Sequence, residues 1–229
     1  MNQSHPRPTA GTGVRAPTRR IHFAWLLTSI IVYILVSPWF DSIGGLASAG
    51  LSVVLIAAAY STAESGSVWA PIALALVALG ITWVEGLFSF TGLVVYARIL
   101  YMGVFLFAMV RVFRYVIRSS RVTSNVLMAG VSVYLLLGLA WAMFYLNIWD
   151  FFPDAFTGNI TSGADTSVRL REMLYYSFVS LTTVGYGDIT SVLPLARALS
   201  ILEVLSGVLY LGVLVARLVS MYKNEPDAG

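Results

Sequence analysis

Apolar runs of bilayer-spanning length follow one another along this chain, separated by short polar, glycine or proline punctuation. A helix needs roughly 20 mostly apolar residues to cross the hydrocarbon core. The pattern predicts six such spans, at residues 21–37, 43–60, 68–88, 92–113, 124–149 and 194–222. Pro38 closes the first span. The second is rich in Gly44, Gly45, Ala47, Ala49 and Gly50, small residues that let helices approach closely. Pro71 stands in the first turn of the third, where proline is tolerated.

The pattern changes between the fifth and sixth spans. Residues 150–167 are polar and loop-like, and "VRLREMLYYSFVSL" after them is an apolar-leaning helix too short to span. It runs directly into "LTTVGYGDIT", residues 181–190, which is rich in glycine and hydroxyl groups. A half-length helix ending in irregular backbone at membrane depth reads as a re-entrant hairpin. Such backbone is tolerated only where protein or a water-filled cavity surrounds it. The expected fold is an all-α membrane protein of six transmembrane helices plus a re-entrant helix and loop.

Charge placement orients the spans. Arg7, Arg15, Arg19, Arg20, Arg111, Arg114, Arg118, Arg121 and Lys223 fall on one side, and only Arg169 and Arg171 on the other. The positive-inside rule then puts both termini in the cytoplasm; a plasma membrane, of bacterial inner-membrane type, is the expected location. Asp41, Asp150, Asp154, Asp165, Glu172 and Asp188 gather on the outer side, where they would attract cations. Residues 1–20 read as a disordered cytoplasmic tail without a cleavable signal. Residues 21–121 read as a four-helix domain, 122–222 as a second unit of outer helix, re-entrant helix, loop and inner helix, and 223–229 as a short cytoplasmic tail.

Composition narrows the chemistry. Of 229 residues, 58% are hydrophobic and 11% charged, against about 25% charged in soluble domains. There are no cysteines, which excludes disulfides, zinc–thiolate sites and cysteine nucleophiles. The two histidines, His5 and His22, lie near the N-terminus, and no carboxylates cluster. An enzyme has nothing to work with here; no cofactor and no nucleic-acid partner are expected.

"TTVGYGD", residues 182–188, resembles the signature of potassium channels, and the resemblance covers about residues 123–222. Four TVGYG loops are the established example of a potassium selectivity filter. The resemblance implies a homotetramer in the lipid bilayer conducting K+, which binds at Thr183, Val184, Gly185 and Tyr186. Pointing successive carbonyls at one axis needs, at every second residue, a backbone conformation that glycine reaches without strain, and Gly185 and Gly187 supply it. Thr182, Gly187 and Asp188 flank the ion sites, with Asp188 at the outer mouth. Tyr175 and Tyr176, tryptophans in many relatives, would brace the filter together with Phe178. Val179 replaces a glutamate that pairs with the filter aspartate in some relatives.

Glu203 is an acid at membrane depth, a functional position by default. It either lines the cavity or hydrogen-bonds behind the filter, and the cost of an unpaired buried charge favours bracing. Gly207 either bends the sixth helix as a gating hinge or packs it closely, with Gly212 further along the same helix. Arg217 snorkels inward, and Arg197 pairs with an acid of the mouth. Arg111, Arg114, Arg118 and Arg121 keep a 3, 4, 3 spacing but follow the apolar stretch of the fourth helix, and only Arg98 lies inside it, with Glu85 as its expected partner, so at most weak voltage gating is expected. A voltage-gated channel, a weakly selective cation channel and a potassium transporter subunit are the alternatives. The short tail after Tyr222 leaves gating to the membrane part.

Overall fold

The computed structural model describes residues 23–40, 42, 46–61, 73, 76, 77, 80, 94–158 and 165–223. Among the described residues six helices are delimited, in this order: α1 (Phe23–Val36), α2 (Leu46–Ser61), α3 (Val94–Arg118), α4 (Ser124–Phe151), α5 (Thr166–Leu181) and α6 (Pro194–Lys223). Among the described residues, three helical stretches are long and apolar enough to cross a membrane: Arg98–Arg118, Ser124–Phe151 and Pro194–Tyr222. Helices α1 and α2 are shorter apolar helices. The third predicted span, apart from four of its residues, the N-terminal tail and Glu85 lie outside the described residues.

Helix ends follow local chemistry. After α1 the chain turns through a 3-10 segment, Ser37–Trp39, where Pro38 lacks the N–H that would continue the helix. Thr123 caps α4, its hydroxyl accepting from the Val126 amide at 3.3 Å. Helix α3 continues past the predicted end at residue 113 to Arg118. Arg111, Arg114 and Arg118 are thus part of one continuous helix rather than an extension beyond it.

Helix α4 is the hub, packing against α1, α3, α5 and α6. Its Ala129, Val133, Leu136, Ala142 and Leu146 are buried, as are Val104, Phe105, Ala108 and Val112 of α3. Small residues permit the closest approaches. The backbone of Gly138 lies under the Phe178 ring of α5, and Gly130 lies against Leu214 of α6. By contrast, α6 exposes Ile201, Leu202, Leu205, Val208, Leu209 and Val213 along much of its length.

A two-stranded antiparallel sheet departs from the all-helical expectation. Strand β1 (Phe156–Gly158) pairs with β2 (Ile189–Ser191), matching Phe156 to Ser191 and Gly158 to Ile189. It ties the loop after α4 to the chain leaving the glycine-rich segment. Both strands are three residues long, too short for alternation to announce them.

Candidate functional site

Helix α5 ends at Leu181, and the next four amides close back onto its last turn. The Thr182 amide donates to the Phe178 carbonyl and the Thr183 amide to that of Ser180, at 3.1 and 2.9 Å. The Val184 and Gly185 amides both reach the Val179 carbonyl, at 3.0 and 3.3 Å. These bonds satisfy carbonyls that a helix C-terminus leaves open. They also turn the N–H side of the segment toward α5. Among the described residues, no donor reaches the carbonyls of Thr183, Val184, Gly185 or Tyr186.

The backbone alternates. Thr183, Gly185 and Gly187 have φ of 62°, 56° and 80°, and the residues between them do not share the sign. For the glycines this conformation is free of the Cβ penalty. For Thr183, β-branched, it is strained, and such strain concentrates at functional sites. The hydrophobic pattern carried no signal for this third positive φ. The side chains of Val184 and Tyr186 line a cleft of about 710 Å³ beside α5, with Tyr175, Val179 and Asp188. They are 52% and 71% exposed in the single chain.

Support comes from α4, α5 and α6. The Tyr134 hydroxyl donates to the Leu181 carbonyl at 3.1 Å. Thr182 folds its hydroxyl back onto the Phe178 carbonyl at 2.6 Å. Tyr175 stacks on Tyr186, with ring centroids 6.5 Å apart, and its hydroxyl faces Asp188. Tyr176 turns the other way, its hydroxyl 2.6 Å from Ser200 Oγ on α6 and its ring against Tyr145 and Phe156.

Glu203 is fully buried at 0% exposure. Its Oε1 accepts from Ser177 at 2.5 Å and its Oε2 from Tyr145 at 2.7 Å, joining α6 to α5 and α4. Gly207 lies one turn further, where a Cβ would stand 2.7 Å from the Leu181 carbonyl oxygen. Its missing side chain therefore serves the close approach of α6 to the end of α5. Gly212 has open space where a Cβ would sit.

Three arginines find partners in the folded chain. Arg197 donates through Nε to the Ser191 carbonyl at 3.0 Å rather than to an acid. Arg217 donates through Nη2 to the Ser119 carbonyl at 2.7 Å, which ties it to the loop before α4. Arg98 is ion-paired with Asp150 at the end of α4.

Gly158 was not singled out in the sequence. Its φ is +135°, and a Cβ there would overlap the Asp188 carbonyl oxygen. Gly158→Ala is expected to destabilise the protein by about 1–3 kcal/mol, read as a lower Tm of the purified protein. An unchanged Tm would show that the β1–β2 pairing yields to the extra carbon.

Residues 130–224 match the family described as "Ion channel". The chain is 40% identical over 76 residues to "Two pore potassium channel c" of Oryza sativa subsp. japonica, covering 33% of this chain and 17% of that protein. It is 35% identical over 86 residues to "Two-pore potassium channel 4" of Arabidopsis thaliana, covering 38% of this chain and 28% of that protein. The chain thus spans well under a third of the length of the curated relatives it matches. No solved structure gives a significant match. The matched stretch contains the strained loop, both helices that flank it and the acid that links them. Through these residues this part of the chain is similar to an ion-channel family and to two proteins named as potassium channels, and the three long apolar helices fit a membrane protein.

Proposed function

We propose that four copies of this chain form a pore that conducts K+ passively and selectively across the membrane. The observation that carries this reading is the alternating backbone of residues 183–187, whose carbonyls have no donor within the described chain. A potassium ion entering a narrow pore sheds its water, and carbonyl oxygens at Thr183, Val184, Gly185 and Tyr186 replace it. One chain carries one such loop, so a closed ring needs four, related by rotation. The exposed apolar face of α6 and the uncovered Val184 and Tyr186 supply surface for the neighbours.

The C-terminal end of α5, with its partial negative charge, leads directly into the loop, which favours a cation at the inner end. Tyr134, Tyr175, Asp188 and Glu203 hold the loop from behind and above. The division at about residue 122, six spans, and cytoplasmic termini in a bacterial inner membrane complete the arrangement. Ion pairing of Arg98 with Asp150, and the position of the other α3 arginines near its far end, support a weak or absent voltage response. A single charge crossing the whole field contributes only about 2.3 kcal/mol per 100 mV.

The test is flux from liposomes containing the purified full chain. Under opposed potassium and sodium gradients, the reversal potential is expected close to the potassium equilibrium value. A reversal potential near zero would sink the claim of selectivity and leave a weakly selective cation channel.

A further inference from the structure

A single carboxylate holds two guanidinium groups from different helices at the outer end of the bundle. Arg98, in the first turns of α3, places Nη1 on Oδ2 of Asp150, in the last turn of α4. Arg169, in the first turn of α5, places Nη1 on Oδ1 of the same residue at 2.5 Å. The Arg98 side chain is 6% exposed and that of Asp150 19%. Glu172, the neighbouring acid, takes Arg171 instead, at 3.2 Å.

From this arrangement we infer that Asp150 is a positioning residue that couples the N-terminal helices to the re-entrant helix, and through it to the filter, within one subunit. The inference rests on the pore reading above for its consequence, but the tie itself does not.

The electrostatics give the direction of coupling. Arg169 stands at the N-terminal end of α5, where the helix dipole disfavours a cation. Asp150 offsets that repulsion and holds the end of α5 against α4. Arg98 engages the other oxygen of the same carboxylate. A displacement of α3 that withdraws Arg98 therefore changes how Asp150 is shared and strengthens its hold on Arg169. Two sites that compete for one partner are linked reciprocally. Helix α5 has 16 residues, about 24 Å of rigid rise, and its far end is where the filter begins. A shift at Arg169 thus reaches Leu181 and the amides that anchor Thr183 to Gly185.

The connection between α3 and α4 confines this to one subunit. Only residues 119–123 separate Arg118 from Ser124. Fully extended, that link reaches at most about 20 Å, so α3 folds back along the α4 of its own chain. Arg217 of α6 fixes the same corner from inside by donating to the Ser119 carbonyl. Every contact in the path from Arg98 to the filter is then intrasubunit.

Two measurements test the inference. The absence of cysteines and the single lysine, Lys223, make Arg98→Lys a clean cross-linking handle that keeps the charge. A hydrophobic carbodiimide should join positions 98 and 150 by an isopeptide bond, found by mass spectrometry in protein that still runs as a monomer. Cross-linked dimers joined through these positions would overturn the within-subunit path, whether or not the protein conducts potassium. The second is a double-mutant cycle in liposomes, read as potassium flux and as the potassium-to-sodium permeability ratio. Arg98→Gln and Asp150→Asn are each expected to change the flux at least about fivefold, and the double variant to stay within about twofold of Asp150→Asn. Arg98→Lys should return both readouts to within about twofold of the parent. Multiplicative effects in the double variant, or a permeability ratio untouched by Asp150→Asn, would show Asp150 to be structural only.

Discussion

Gly185→Ala is expected to abolish potassium-selective flux while leaving the assembled protein intact. At φ of 56° the residue occupies the left-handed region, where an L-residue costs roughly 1–2 kcal/mol more than glycine. Nothing in its own chain lies within 4 Å of where the Cβ would be, so the effect is conformational rather than a collision. In the proposed ring of four subunits the cost would recur four times, about 4–8 kcal/mol in all. The cheapest escape is to return residue 185 to extended backbone, which breaks the alternation at its centre. Carbonyls on either side then turn away from the axis, and a dehydrated ion loses part of its coordination. The measurement is a reversal potential and flux in liposomes, with assembly checked by size-exclusion chromatography. Gly103→Ala, in α3 with open space around the added carbon, is the control and should conduct as the parent does. Retained selectivity in the Gly185 variant would refute the assignment of these carbonyls to the ion.

Thr183 sharpens that argument. It carries a Cβ and still holds φ of 62°, so the left-handed region is not closed to side chains here. Its amide is fixed by the Ser180 carbonyl at 2.9 Å, which places it against the last turn of α5. Gly185 has only a 3.3 Å contact to Val179 and stands farther from the helix. Strain is carried where the surroundings impose it, and they impose it less at residue 185 than at 183.

The loop was legible in the sequence because its requirements are local. Glycine at alternate positions, and a half-length helix before them, are read from neighbouring residues. The membrane-crossing helices α4 and α6 were legible from the length and hydropathy of their runs, to within a residue or two at their ends. What the sequence concealed depends on long-range contact. Asp150 read as one of several acids at an outer mouth, because its partner Arg98 lies 52 positions earlier. Gly158 is unremarkable until the backbone of Asp188 is laid against it. The β1–β2 pair joins segments with all of α5 between them, so no turn signal announces it. For Gly207 the sequence left hinge and packing open. The proximity of the Leu181 carbonyl speaks for packing, a contact that only the folded chain reveals.

Glu203→Ala is expected to lower the stability of the assembled protein by about 3–5 kcal/mol per subunit, whereas Glu203→Gln should retain it. The side chain is fully buried and fills the meeting point of α4, α5 and α6. Truncation leaves a cavity and removes the acceptor of both Ser177 and Tyr145. Ser177 has one hydroxyl hydrogen but two oxygens within reach, the Gly138 carbonyl at 2.8 Å and Glu203 at 2.5 Å. In the alanine variant it can turn to Gly138, while the Tyr145 hydroxyl is left without its partner. A glutamine repeats the full set. Its amide oxygen accepts from Tyr145, its amide nitrogen donates to Ser177, and Ser177 donates to Gly138. The pattern closes without a charge, in a place where an unpaired one is costly. Thermal unfolding and the detergent resistance of the oligomer separate the two variants. If glutamine proves as damaging as alanine, the carboxyl group is needed for something other than these hydrogen bonds, and the bracing role fails. If alanine is tolerated as well, Glu203 holds nothing together, and a position lining the ion path becomes the better account of an acid at this depth.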